Sequence, residues 1–383
     1  MPIDTPNLNT DTNNQTPGIA PTSVPPQPQP QLQPQPKPME PLKSPVQTGQ
    51  SFKKPPLMWA DSQQILGSIE KKLGGPVVSY YTTGSIVGDD VKYFYTHLKN
   101  IGHKEKIFFV LYSSGGDGRS AYRIASLLRS FCDELVIVIP EIAASAATML
   151  ALAGDSVVMT PLAYLTAVDT SLTHPLNPKD KSNNPVRVEL EEVKRAASTL
   201  IKPDNQDKDN LEAYKIMFNY IHPVAFGSME RASNLSEMLC KDILNLRRNP
   251  ISADEAEKLT VKLNRDYPSH GYPITRKKAR EIGIPVVDSD AELDTLLWKY
   301  INVNRFLTEP VRTDISDSFF HTETYLNTIE SVGRRIAVKQ ITERRLDPIV
   351  KGWTTLRDEF KWEALYEVDE NGEKKVMISR LDI

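Results

Sequence analysis

Two stretches leave this chain little freedom in how it can fold. Ile107–Tyr112 reads IFFVLY and Leu135–Pro140 reads LVIVIP, and neither alternates apolar with polar residues. A strand with one face in water alternates; an unbroken apolar run of this length belongs to a strand covered on both faces, as in a parallel sheet crossed by helices. Between the two runs, Tyr122, Ile124, Ala125, Leu127, Leu128 and Phe131 recur at helical spacing. Upstream, Pro76–Thr82 (PVVSYYT) is β-branched and aromatic and reads as a strand, while Val91, Phe94, Tyr95 and Leu98 mark a helix over Asp89–Asn100. Glu141–Leu152 reads as a small-residue helix and Val157–Thr160 as a further short strand. Strand, helix, strand, helix, strand with short connections predicts an α/β fold of right-handed βαβ crossovers.

The flanks differ in kind. Residues 1–51 contain no aromatic residue, and Pro25–Pro38 (PPQPQPQLQPQPKP) alternates proline with glutamine, which stays extended and buries too little to offset ordering. Residues 1–55 are therefore expected to form a disordered tail, a tether or a docking strip for a proline-reading partner. Residues 56–289 are expected to form the main domain. Within it His174–Pro185 is polar and proline-punctuated, hence a loop, followed by helices over Arg187–Lys202, Asn210–His222 and Ser228–Leu246. Ser252 opens a helix with a capping box and Thr275 caps a short one ending at Gly283. Residues 290–383 read as a separate C-terminal helical and hairpin extension. It has a long amphipathic stretch over about Thr322–Arg345, and Asn371-Gly372 turns Lys361–Val368 into Lys375–Arg380.

Composition removes several classes of function. A net charge of −3 and a pI near 6.1 give no basic excess for nucleic acid or an anionic membrane surface. Cys132 and Cys240 stand far apart without metal-ligand spacing, so no disulfide framework, metal or other cofactor is expected, and a reducing compartment fits. No secretory signal is visible, and Ala143–Ala153 is too short to span a bilayer. A cytoplasmic location with no membrane contact is the expectation.

Chemistry can sit at two places. The IFFVLY strand ends in Ser113-Ser114-Gly115-Gly116-Asp117-Gly118, where glycines let exposed N–H groups approach a ligand. The Walker lysine and the GxGxxG spacing are absent, so the turn suits an oxyanion hole better than a phosphate, or it is a plain strand-to-helix turn. In EIAASAATMLALAGD, Ser145 follows a buried strand and starts an alanine-rich helix, and its small neighbours Ala143, Ala144, Ala146 and Ala147 leave room for a substrate backbone. By itself the serine reads better as an ordinary helix cap.

Together, SSGGDG and AASAATMLALAG, with Ser145 following Gly116 by 29 positions, resemble the SPGG and AASMG signatures of the Clp protease proteolytic subunit. Signal peptide peptidase A has related motifs. The longer resemblance is to the serine dehydrogenase proteinase family. It runs roughly from Pro76 to Val287 and takes in PVVSYYTTG, LTAVDTSL and YPSHGYPITRKKAREIGIPV. The resemblance implies a ClpP/crotonase-type spiral of βαβ units, Ser145 as nucleophile, and the N–H groups of Gly116 and Ala146 as oxyanion-hole donors. It also implies a homo-oligomer acting on peptide or protein substrate. Ser114 replaces the signature proline, and Ala146-Ala147 replaces Met-Gly.

The general base is where the pattern departs. The histidine expected downstream of the nucleophile falls at Ala167-Val168-Asp169-Thr170, and the acidic position falls at His270 or Gly271. A carboxylate is too weak a base to deprotonate serine efficiently, so the assignment that fits the chemistry is His270 as base and Asp169 as its orienting carboxylate. Lys194, 49 residues after Ser145, is the alternative base of a Ser-Lys dyad, and His174 in its loop is a poorer one. Two other readings compete with the peptidase: an inactive Clp-fold scaffold, and crotonase-type acyl-CoA chemistry, which uses the same paired N–H groups.

Overall fold

The computed structural model describes residues 58–381 except 169, 170, 173, 187, 201–213, 216, 310, 316, 317, 348 and 350. Chain contacts divide the sequence into Met1–Ser51 and Phe52–Ile383. The expected tail over 1–55 lies outside the described residues.

The apolar runs form strands as the pattern demands. In chain order come α1 (Trp59–Leu73), β1 (Val77–Thr82), α2 (Asp90–Ile101), β2 (Lys104–Tyr112), α3 (Gly118–Ser130) and β3 (Cys132–Ile139). Next are β4 (Ile142–Ala143), α4 (Ala146–Ala151), β5 (Ser156–Met159), β6 (Tyr164–Leu165), β7 (Ser171–Leu172), β8 (Val188–Glu189) and α5 (Leu190–Leu200). They are followed by α6 (Pro223–Asn245), α7 (Ala253–Val261), a π-helical turn (Lys262–Asp266), β9 (Ile274–Thr275), α8 (Arg276–Glu281), β10 (Val286–Asp288) and α9 (Ala291–Thr308). The chain closes with β11 (Val311–Ile315), β12 (Phe319–Ser331), β13 (Arg334–Asp347), β14 (Gly352–Glu370) and β15 (Glu373–Arg380).

The large sheet runs β10-β5-β3-β2-β1-β12-β13-β14-β15, with β11 on β12. Its first five strands are parallel and the rest antiparallel. The unbroken apolar runs have a direct cause. Ile107, Phe109 and Leu111 face one core with α2 and α3, while Phe108 and Val110 face another with Leu66 and Ile69 of α1 and Leu297 and Tyr300 of α9. Both faces are covered, so no position in these strands calls for a polar residue.

Three expectations change. The helix drawn over Glu141–Leu152 begins only at Ala146, because Ile142–Ala143 is a strand of a second sheet and Ser145 has a conformation no helix allows. The amphipathic stretch over Thr322–Arg345 is two antiparallel strands, β12 and β13, and the helical part of the C-terminal region is α9. That region is not separate in the sheet either: β12 pairs directly with β1, Ser79 opposite Glu330, so the expected boundary at 290 does not break the strand order. The Asn-Gly hairpin forms as read, with φ of 60° at Asn371 and 87° at Gly372, the positive pair a tight two-residue turn requires. Ser252 makes both halves of its capping box with Glu255.

The junction between the halves is locked by buried charge. One Glu330 carboxylate oxygen accepts hydrogen bonds from Ser62 (2.6 Å), Gln63 (2.8 Å) and Arg335 (3.0 Å), and the other accepts from the Tyr300 hydroxyl at 2.9 Å. α1, α9, β12 and β13 thus meet on one carboxylate.

Candidate active site

The turn after β2 is shaped by close backbone contact. Ser113 donates its N–H to the Ile142 carbonyl (3.1 Å) and accepts from Ala144 N–H (3.0 Å), which clamps the end of β2 to β4. Gly115 then has φ +103°, and a Cβ there would sit 2.6 Å from the Ala144 carbonyl oxygen and 2.8 Å from the Ser145 Cβ. At Gly116, with φ +150°, a Cβ would lie 2.4 Å from the Ile86 nitrogen. Only glycine fits at either place. Ile86 donates to the Gly115 carbonyl (2.8 Å) and accepts from Asp117 N–H (2.9 Å). In such a parallel bridge the intervening residue turns its own N–H and C=O away from the partner, so Gly116 N–H faces away from Ile86. Asp117 caps α3, accepting from the Ser120 N–H (3.1 Å) and hydroxyl (2.7 Å). Partial burial works against its charge, but hydrogen bonds from Ser120 and Arg119 outweigh that and hold its carboxyl below the usual range.

Ser145 is the strained point. Its φ of 54° and ψ of −120° belong to a glycine-favouring region, and a non-glycine residue there costs about 1–3 kcal/mol. The side chain is half-buried between Ala144 and Ala146. Two threonines hold the turn. Thr166 Oγ1 accepts the Ser145 N–H at 2.9 Å, and Thr148 Oγ1 lies 2.8 Å from the Ala143 carbonyl oxygen and 3.0 Å from that of Thr166, with one hydrogen to give. Thr166 N–H donates back to Thr148 Oγ1 at 3.2 Å. The N–H groups of Gly116 and Ala146, by contrast, donate no hydrogen bond among the described residues.

The second sheet, β4-β6-β9, organises the surroundings. β4 and β6 are parallel, with Ala143 opposite Leu165; β6 and β9 are antiparallel, with Leu165 opposite Ile274. The segments leaving β4, leaving β6 and entering β9 therefore all lie at one end of this sheet. The first carries Ser145, the second leads through Thr166–Val168 toward position 169, and the third carries His270. Asp169 itself lies outside the described residues. Val168 is pinned by its N–H to the Leu263 carbonyl (3.0 Å) and by the Ser236 hydroxyl to its own carbonyl (2.9 Å). His270 is half-buried in the turn closed by Tyr272 N–H to the Ser269 carbonyl at 3.0 Å.

Lys194 lies on α5, which packs on α6, and its Nζ stands 3.7 Å from Glu230. His174 accepts Leu176 N–H at 3.2 Å in its loop. Burial pushes the thiol of Cys132 up to about 11 and that of Cys240 up to about 12, which removes both as thiolate nucleophiles near neutrality. Among the described residues no group of histidine, cysteine and carboxylate side chains is arranged to hold a metal, and no helix is long and apolar enough to cross a membrane. Thr148, Thr166 and Ile86 escape sequence reasoning, because their roles depend on the register of two-residue strands and one isolated bridge.

No family model matches the chain. A curated relative, an uncharacterized protein of Methanocaldococcus jannaschii, is 26% identical over 195 residues, covering 51% of this chain. The chain spans 58% of that relative's length. Among solved structures, a mutant of the 1510-N membrane-bound stomatin-specific protease in complex with a substrate peptide is similar over 56% of this chain and 74% of its own, at 14% identity and a TM-score of 0.33. ClpP1 from Listeria monocytogenes is similar over 61% of this chain and 98% of its own, at 12% identity and a TM-score of 0.32.

Proposed function

We propose that the chain is a Clp-type serine peptidase that cleaves extended peptides through an acyl-enzyme on Ser145. One observation carries the reading: the end of the β4-β6-β9 sheet from which the Ser145 segment leaves is also where the segments bearing Asp169 and His270 meet it. In sequence Asp169 and His270 stand 24 and 125 positions beyond Ser145. The strained turn at Ser145 supports it, since a sharp strand-to-helix turn is how α/β-hydrolases present a nucleophile, an analogy of geometry and not of ancestry.

In this reading His270 takes the proton of the Ser145 hydroxyl as its oxygen attacks the scissile carbonyl carbon, and Asp169 orients the imidazolium that forms. The N–H groups of Gly116 and Ala146 receive the negative oxygen of the tetrahedral intermediate. His270 then returns the proton to the leaving amine, and water repeats the sequence to release the acyl group. Lys194, paired with Glu230 at the surface, is the alternative base of a Ser-Lys dyad. Substrate reaches the site in a homo-oligomer.

The test is labelling with a fluorophosphonate followed by mapping of the modified peptide. Ser145 is the expected site. Ser145→Ala should abolish labelling and lower peptide hydrolysis on the order of 10⁶-fold, and His270→Ala should cost several orders of magnitude where Lys194→Ala does not. Activity should fall on acidification, because an imidazolium accepts no proton. Hydrolysis undiminished in the Ser145→Ala protein would remove the reading.

A further inference from the structure

Thr166 has a hydroxyl whose direction is fixed from both sides. Its oxygen lies 3.1 Å from the Ala167 carbonyl, to which it donates, so toward Ser145 it can only accept. The Ser145 N–H at 2.9 Å fills that role. The residue is buried, so water offers no substitute acceptor. Thr148, one turn into α4, closes the other side by accepting Thr166 N–H.

We propose that Thr166 is a positioning residue for the reaction at Ser145: by taking the Ser145 N–H it holds the turn at positive φ and leaves the next N–H, that of Ala146, for the substrate oxygen. The proposal rests on the reading of Ser145 as nucleophile. Without the acceptor, the Ser145 amide is free to rotate toward a relaxed conformation, and the plane it shares with Ala144 turns with it. Ala144 lies against Gly115, so the two halves of the anion-binding turn shift together. The same short segment runs on to Val168, which Leu263 and Ser236 pin. Thr166 therefore couples the nucleophile to the segment that leads to Asp169, through a single hydrogen bond.

The experiment compares wild type, Thr166→Val and Thr166→Ser for fluorophosphonate labelling rate, kcat and KM on a peptide substrate, and amide hydrogen exchange at Ser145. Valine keeps the shape and removes the acceptor; serine keeps the acceptor. Thr166→Val should lower labelling and kcat on the order of 10²-fold with KM little changed, as expected for a small misplacement of reacting groups. Thr166→Ser should stay close to wild type. A purely structural threonine would instead lower the amount of folded protein and leave kcat per folded molecule alone. Equal labelling of wild type and a folded Thr166→Val protein overturns the positioning role and leaves the peptidase reading standing. A wild type whose Ser145 does not react overturns both. Should the valine protein not fold, exchange in the wild type decides: the Ser145 amide should exchange far more slowly than that of Gly116, and equal rates overturn the proposal.

Discussion

Two polar clusters of this molecule are built to opposite ends. Where α1, α9, β12 and β13 meet, both oxygens of the buried Glu330 carboxylate accept hydrogen bonds, from Ser62, Gln63, Arg335 and Tyr300. At the Ser145 turn the backbone is strained, and the N–H groups of Gly116 and Ala146 donate to nothing among the described residues. Ala146 is buried, and a buried donor without an acceptor costs about 1–3 kcal/mol, whereas Gly116 is exposed and can donate to water. The first cluster uses polar groups to fix one packing arrangement. The second leaves two backbone N–H groups unengaged beside a strained turn.

The sharpest way to break this contrast is Gly115→Ala. The new methyl would have to occupy space 2.6 Å from the Ala144 carbonyl oxygen and 2.8 Å from Ser145 Cβ, and φ of +103° disfavours alanine as well. Labelling at Ser145 should fall on the order of 10³-fold, as when an oxyanion donor is lost. Retained labelling would mean that the two segments are not held this close in solution.

Next is the lock. Glu330→Ala leaves Arg335 buried without its carboxylate and should lower unfolding free energy by about 3–5 kcal/mol in urea titration. Replacing both partners, Glu330→Leu with Arg335→Met, should recover only part of that loss, since it removes the unpaired charge but leaves the Ser62, Gln63 and Tyr300 donors without their carboxylate. Neither change should alter labelling of the folded protein at Ser145. A double variant no better than the single one would show that the network sets the strand pairing as well as the packing.

The same lock explains what the sequence conceals. β12 and β13 each hold a run of five buried residues, 327–331 and 335–339, but Glu330, Arg335 and Lys339 are charges inside those runs, paired with partners that no periodicity can supply. A buried run broken by charge reads as an amphipathic stretch and not as the middle of a sheet. β2 and β3 are legible because both faces of their central runs, Ile107–Leu111 and Leu135–Ile139, are covered and each position there calls for an apolar residue. At the site, Ser145 and Gly116 stand out because glycines and small residues announce a close approach. The gathering of their segments does not, because β4, β6 and β9 are two residues long and carry no periodic signal.

A smaller effect belongs to the locked side. His97 on α2 is fully buried, and among the described residues neither ring nitrogen has a hydrogen-bond partner. Burial first, and then the nearby Arg334 charge, lower it from 6.5 to about 3. The folded protein thus keeps the ring neutral while the unfolded chain takes up a proton below 6.5. Its contribution to stability is complete above that pH and is lost as pH falls toward 3, at about 1.4 kcal/mol per pH unit. His97→Leu should remove one proton's worth of slope from stability measured across that window. An unchanged slope would place the acid sensitivity in other groups.

The smallest effect probes the strain directly. Ser145→Gly and Ser145→Ala both remove the proposed nucleophile, so both should be inert, yet they should differ in stability. Alanine inherits the strain of φ 54°, whereas glycine adopts that conformation freely. The relief of about 1–3 kcal/mol is partly offset by the roughly 0.4–1 kcal/mol that glycine's extra freedom adds to the unfolded state. The glycine protein should therefore be more stable than the alanine protein by about 1 kcal/mol, read from paired denaturant titrations with equal slopes. The Glu330 cluster offers no counterpart, because no residue there is held at positive φ and no smaller side chain would relieve anything. If glycine proves no more stable than alanine, the Ser145 turn is relaxed in solution. What then separates it from the lock is its unpaired donors alone.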